Sequence, residues 1–131
     1  MKQEDIELLK LDLCAKLPYK VKARYYGSEE EMYCIDDVEG IEVTDRGHEV
    51  TIGQYSLPFE DVKPLLRRMD SMTEDEAREY RSIDCGFNRY NWMHTERVID
   101  WLNTHHFDYR GLIEKGLALE APEDMYKQET T

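Results

Sequence analysis

The chain has 131 residues, the size of one ordinary domain, and carries 29 acidic against 17 basic residues, a formal net charge of -12 at pH 7. This charge repels a phosphate backbone, so direct binding of DNA or RNA is not expected. Apolar residues occur only in short runs, far below the roughly 20 that a bilayer-spanning helix needs, so no membrane helix is expected either.

The N-terminal segment and the cysteines predict a cytoplasmic protein. Residues 1–12 alternate charged residues with leucines and lack both the apolar run and the cleavage site of a secretory signal. Cys14, Cys34 and Cys85 are odd in number and widely spaced, which favours reduced thiols over a disulfide framework or a zinc motif.

The first third of the chain predicts a helix and then strands. Apolar residues at helical spacing predict an amphipathic helix over residues 3–17, ended by Pro18. Alternation over residues 20–26 predicts a half-buried strand. Its buried side is predicted to be formed by Val21, Ala23 and Tyr25. Residues 28–39 fit either one capped helical turn or an extended segment, and we favour a strand.

Residues 40–53 carry the clearest hairpin pattern. Two alternating segments flank Asp45-Arg46-Gly47, whose residue types suit a tight turn. Tyr55 and Leu57 extend the pattern, and residues 58–66 predict a turn and a short extended piece at which the sheet ends.

Capping patterns predict the C-terminal helices. Thr73 and Glu76 form a capping box that begins a helix over residues 74–81, and Thr95 is the predicted cap of the next helix. The apolar face of that next helix is predicted to consist of Val98, Trp101, Leu102 and His105, with Trp101 as a core anchor. Asp108 is predicted to cap a third short helix over residues 109–115, ended by Gly116.

These elements predict an α+β fold. It consists of an N-terminal helix, a small antiparallel, meander-like sheet of three or four strands, and two or three short C-terminal helices. Residues 1–120 are expected to form a single domain. Residues 121–131, rich in Pro, Glu, Asp and Gln, are expected to form a flexible acidic tail.

Two blocks of sequence carry a resemblance to known proteins. Residues 100–121, DWLNTHHFDYRGLIEKGLALEA, resemble the C-terminal signature of a group of small uncharacterised proteins of gut bacteria, their prophages and mobile elements. The segments VKPLLR at 62–67 and SMTE at 71–74 are similar to the same group, in which a second proline often stands where this chain has Arg68. The resemblance covers about half the chain and implies a phage or mobile-element accessory gene, without an activity or a cofactor.

No pattern predicts catalytic, cofactor-binding or metal-binding residues. Adjacent histidines on a helix point about 100° apart and cannot easily share one metal. We therefore predict His105 on the apolar helix face and His106 at the helix end, where a partly charged ring suits the helix dipole. Cys85 has no local signature of a nucleophile and is predicted to be a small buried hydrophobic residue.

Aromatic and cationic residues cluster between the last two predicted helices. The candidate interaction surface consists of His105, His106, Phe107, Tyr109 and Arg110. Such residues are enriched in binding hot spots, but a helix corner also needs them to pack, and packing is the favoured interpretation.

Three functions are compatible with these observations. The leading hypothesis is a non-catalytic accessory or interaction protein with an unknown protein partner, because no catalytic pattern is present. The net charge suggests, as an alternative, an acidic decoy that blocks a host nucleic-acid-binding protein. The third is an enzyme whose site is assembled from distant residues, with Cys85, His94 and His105 as first suspects.

Overall fold

The computed structural model describes the backbone of residues 1–85 and 92–126, and the side chains of residues 1–83 and 96–126. Within these ranges three helices and six strands follow one another, joined in places by single 3-10 turns. In chain order they are α1 (Gln3–Lys16), β1 (Lys22–Gly27), β2 (Met32–Thr44), β3 (Gly47–Ile52), β4 (Tyr55–Pro58), β5 (Val62–Leu66), α2 (Glu74–Cys85), α3 (Trp92–Thr104) and β6 (Leu119–Glu120). The α+β prediction is confirmed.

The strands form one mixed sheet in the order β4-β3-β2-β1-β5-β6. Neighbouring strands are antiparallel except β5 and β6, which are parallel. The predicted number of three or four strands was therefore too low, and the prediction that all strands are antiparallel was wrong for β5 and β6. A strand of two residues carries no alternating pattern, and β6 is recruited by a partner more than fifty positions earlier in the chain.

The predicted hairpin is confirmed at its turn. Thr44 pairs with Gly47, which leaves Asp45 and Arg46 as the two connecting residues, and Gly47 has a φ of +115°. The favoured extended conformation of residues 28–39 is confirmed for residues 32–39, because β2 begins at Met32, but it is wrong for residues 28–31, which form the turn between β1 and β2.

The main core lies between α1 and one face of the sheet. Leu9 and Leu13 of α1 pack in the same cluster as the predicted inner residues of β1, all of which are buried. These inner residues are Ala23 and Tyr25 of β1 and Val21, which directly precedes this strand. The alternation in β1 was thus a sound guide, since successive side chains of a strand point to opposite faces.

A second cluster lies under α2 and α3. Its buried members are Trp101, Leu102 and Phe107, so the prediction of Trp101 as a core anchor is confirmed. The predicted capping box is also present, with Thr73 Oγ1 accepting from the Glu76 amide at 3.1 Å and Glu76 Oε1 accepting from the Thr73 amide at 3.0 Å. Helix α3 begins at Trp92, before the predicted cap at Thr95, whose side chain lies outside the described part of the chain.

The third predicted helix, over residues 109–115, is absent and replaced by turns over residues 112–116. The carboxylate of Asp108 accepts from the amides of Leu112 and Ile113 at 2.9 and 3.0 Å, four and five residues later, whereas a helix cap accepts from amides two or three residues later. Gly111, three residues after Asp108, has a φ of +76°, which takes the backbone off the helical path. Gly116 also adopts the left-handed conformation that the sequence predicted.

Residues 121–126 lie against the sheet, where the sequence had favoured a flexible tail. The Ala121 amide donates to the Leu66 carbonyl at 2.7 Å. The Tyr126 hydroxyl donates to the Leu65 carbonyl at 2.7 Å and accepts from the Lys22 amide at 2.8 Å, so it joins β1 to β5 just beyond their last paired residues. Composition missed this contact because one aromatic side chain is enough to dock the segment. The remaining tail residues, 127–131, lie outside the described residues.

None of the helices described between residues 1–85 and 92–126 is long and apolar enough to cross a bilayer.

We predict that Gly53→Ala lowers the free energy of unfolding by roughly 1–3 kcal/mol. Gly53 has a φ of +59°, and a Cβ there would lie 2.5 Å from the Tyr25 hydroxyl oxygen. Gly40→Ala is the matched control, because its Cβ would meet no atom within 4 Å and its φ is not positive. Urea denaturation measures the free energy of unfolding of both variants. Equal losses in the two variants would show that the backbone of Gly53 is unstrained.

Candidate functional site

Two of the five residues of the predicted interaction surface are interior. Phe107 is fully buried and His106 is only 8% exposed, so neither can contribute to a surface that a partner reaches. His105, Tyr109 and Arg110 are half-buried. Phe107 and His106 therefore pack in the interior, as the favoured interpretation of this cluster expected, and they are not part of an interaction surface.

His106 bridges the last helix, the N-terminal region and the C-terminal segment. Its Nε2 lies 2.6 Å from the Tyr19 carbonyl oxygen, and its ring stacks on Tyr126 with the centroids 3.7 Å apart. Burial lowers the pKa of His106 to about 4, so the ring is neutral at pH 7. The expectation of a partly charged ring at the helix end is wrong, because the ring faces the interior instead of the solvent around the helix terminus.

We predict that acid destabilises the fold partly through His106. A histidine in the unfolded chain binds a proton near its ordinary pKa of 6.5, whereas the folded one does so only near 4. Stability is therefore lost as the pH falls through this window, by about 2 kcal/mol between about pH 7 and about pH 5.

The variant for this test is His106→Asn, because asparagine tolerates the φ of +62° found at this position. The free energy of unfolding should fall less steeply with acid in the variant than in the wild type, whatever its value at neutral pH. Identical slopes for the two proteins would contradict the prediction.

A buried charge cluster joins α1 to the segment that follows α3. Lys16 Nζ donates to Asp12 Oδ1 at 2.5 Å, and both side chains are fully buried. Arg110 Nε lies 3.4 Å from the same carboxylate oxygen, and the Tyr109 ring centroid is 4.7 Å from Lys16 Nζ. Sequence reasoning missed this cluster. The signal was available, because Asp12 and Lys16 lie three and seven positions after buried Leu9, on the face that α1 turns to the core.

The buried pair does not form an active site. Burial raises the pKa of Asp12 and lowers that of Lys16, opposed in each case by the attraction of the partner. Perturbed ionisable groups often mark functional sites, but a catalytic group must reach a substrate, and these two side chains expose no surface. We interpret the pair as structural.

We predict that Asp12→Leu costs about 3–5 kcal/mol, because it leaves the buried Lys16 ammonium without an acidic partner. Lys16→Met should cost less, because Arg110 Nε remains 3.4 Å from the Asp12 carboxylate. The double variant should cost much less than the sum of the two single variants, since two apolar side chains of similar length replace a desolvated pair. A double-mutant cycle by urea denaturation measures this coupling. Additive losses would show that Asp12 and Lys16 do not depend on one another.

Of the three suspected enzymatic residues, His105 is the one whose side chain lies in the described part of the chain. The centroid of the His105 ring lies 4.2 Å from that of Trp101, on which it stacks, and its Nδ1 lies 2.9 Å from the Trp101 carbonyl oxygen, so the ring packs against the last turn of α3. The side chains of Cys85 and His94 lie outside the described residues. Among the residues that are described, no group of three or more His, Cys, Asp or Glu side chains is arranged to hold a metal ion.

The face of β1 and β2 that points away from the main core carries an exposed apolar cluster. We call Tyr26, Tyr33 and Ile35 the outer patch; they are 50%, 63% and 46% exposed. Tyr26 and Tyr33 are paired across the two strands, and their rings meet edge to face with centroids 5.5 Å apart. Arg24 of β1 lies directly opposite Ile35 of β2, and its guanidinium lies 4.6 Å from the Tyr33 ring centroid.

The hairpin that presents the outer patch is held in place at its turn. The Tyr55 hydroxyl accepts from the Glu29 amide at 3.0 Å and donates to the Glu30 carboxylate at 2.8 Å. On the inner side of the same strands, the Tyr25 hydroxyl donates to Asp36 at 2.5 Å. The Tyr55 bonds attach the β1–β2 turn to the start of β4, and the Tyr25 bond joins β1 to β2, so the outer patch lies on a well-supported surface.

Comparison with known proteins identifies no relative: no family model, no curated protein and no solved structure matches the chain.

Proposed function

We propose that this chain is a non-catalytic interaction protein that binds a protein partner through the outer patch. The observation that carries the proposal is the exposure of Tyr26, Tyr33 and Ile35 side by side on a regular sheet surface. Contiguous exposed apolar residues mark interaction sites more often than isolated ones do, and tyrosine is enriched among the residues that dominate binding energy.

The other large apolar residues known to be exposed do not form an equivalent cluster in the described part of the chain. Met1 and Leu11 lie at the N-terminus and on α1, Val43 lies near the tip of the β2–β3 hairpin, and Ile99 lies on α3. Met32, at the start of β2, pairs with Gly27 on the face of the strands opposite to Tyr26 and Tyr33. Single exposed apolar residues of this kind are normal on protein surfaces. The outer patch differs because three such residues adjoin on neighbouring strands.

The proposal extends to the setting in which the protein acts. The resemblance of residues 100–121 to small proteins of prophages and mobile elements supports an accessory role, and a cytoplasmic location belongs to this proposal. The net charge of -12 disfavours direct binding of nucleic acid, which agrees with a protein as the partner.

We predict that the full-length protein selects ligands from a displayed library of random peptides, and that the double substitution Tyr33→Ser with Ile35→Ser abolishes this selection. Removing both side chains takes away most of the apolar surface that a ligand would bury. Binding of the selected peptides to the two proteins is compared by fluorescence anisotropy.

Val43→Ser is the control, since Val43 is 67% exposed yet lies outside the outer patch. It should bind the peptides as the wild type does. Thermal melting of the variants checks that they fold, because surface substitutions normally change stability by less than about 0.5 kcal/mol. Failure to select any peptide, or equal binding by the double variant, would contradict the proposed function.

A further inference from the structure

Two cations next to the outer patch have no acidic partner in the described part of the chain. Arg24 of β1 and Lys63 of β5 are directly opposite each other in the register, on the same face as Tyr26. Among the described residues neither side chain forms an ion pair, and the guanidinium of Arg24 rests on Tyr33. Like charges directly opposite each other on a sheet destabilise the pair of strands, so this arrangement carries a cost in the isolated protein.

The lack of partners among the described residues is informative because the chain is strongly acidic. With 29 acidic and 17 basic residues, carboxylates are abundant, and Lys22 on the same face does find one, Asp37, at 2.7 Å. Arg24 and Lys63 instead form a small positive area on a negative protein, and this area borders the exposed apolar side chains. Because binding partners usually have complementary charges, we expect a partner of this surface to carry negative groups opposite Arg24 and Lys63.

We infer that the outer patch, together with Arg24 and Lys63, recognises a protein segment that carries carboxylates next to an apolar side chain. The inference rests on the proposed function and adds the chemistry of the partner. The apolar side chain of the partner packs on Tyr26, Tyr33 and Ile35. One carboxylate of the partner pairs with the Arg24 guanidinium, whose planar N–H donors match the two oxygens of a carboxylate, and a second carboxylate pairs with Lys63.

The surface suits a protein segment better than a nucleic acid. The net charge repels a polyanion at a distance, whereas a segment with one or two carboxylates experiences much less repulsion. Base stacking also needs open ring faces. Here Arg24 lies over the Tyr33 ring, the two tyrosine rings meet at an interplanar angle of 77°, and the third member of the patch is the aliphatic Ile35.

The test sequences the peptides that the folded, full-length protein selects from the random library. Asp and Glu should be enriched next to Phe, Leu, Ile or Met relative to the unselected library. A synthetic peptide of this kind should bind the double variant Arg24→Gln with Lys63→Gln roughly three- to thirtyfold more weakly, as expected for the loss of two exposed ion pairs. Binding of the wild type should also weaken as salt is added.

The matched control is Arg97→Gln with Lys115→Gln, which removes the same two charges from exposed positions on α3 and in the turn after it. Its affinity for the synthetic peptide should stay within about twofold of the wild type. Thermal melting of both double variants establishes that they fold.

The outcomes separate the two claims. Peptides that need Tyr33 and Ile35 but show no enrichment of acidic residues would overturn the inference and leave the proposed function standing. Tighter binding of oligothymidylate or of phosphatidylserine vesicles than of any selected peptide would overturn the inference in favour of a polyanion. Selection of no peptide that depends on the outer patch would remove both claims.

Discussion

Arg67 joins the end of β5 to the start of α2 and to the segment after α3, and the attachment of α2 to the sheet depends on it. Its backbone accepts from the Asp108 amide at 2.8 Å and donates to the His106 carbonyl at 2.9 Å, which continues the β5 strand into a bridge with the segment after α3. Its guanidinium binds both oxygens of Glu76 at 2.6 and 2.7 Å and lies 4.3 Å from the Phe107 ring centroid. One residue thus connects the sheet, the start of α2 and the second core.

The Arg67–Glu76 contact is stronger than an ordinary surface ion pair because it is bidentate and largely shielded. The hydrogen bonds from Arg67, together with the capping contacts of Thr73, lower the pKa of Glu76 to about 2. Glu76 therefore both closes the capping box of α2 and fixes that helix to the end of β5. A helix with a highly charged exposed face needs such a fixed contact, since it has little apolar surface of its own to bury.

The buried pair Asp12–Lys16 raises a different question, because two desolvated charges rarely add net stability. Its role is better understood as orientation. The carboxylate also faces Arg110, and Tyr109 lies beside Lys16, so the pair fixes how α1 meets the segment after α3. An apolar contact would tolerate rotation of α1 about its axis, whereas the ion pair between Asp12 and Arg110 requires the carboxylate to face the segment after α3.

The sequence by itself determined the elements whose signal is local. The alternation of Val21, Ala23 and Tyr25 predicted both a strand and its inner face, the Asp45-Arg46-Gly47 turn predicted a hairpin, and the capping box predicted the start of α2. Each of these depends on residues a few positions apart, so the physics that produces the structure is visible within the pattern.

Tertiary structure decided everything that depends on a distant partner. Leu119 and Glu120 become a strand only because β5 offers an edge, Tyr126 docks only because β1 and β5 stop pairing beside it, and His106 is neutral because the fold buries it. The outer patch belongs to the same class. Its tyrosines and the neighbouring cations are inconspicuous along the chain, and only strand pairing places them together, because contacts across a sheet join residues by register and not by sequence distance.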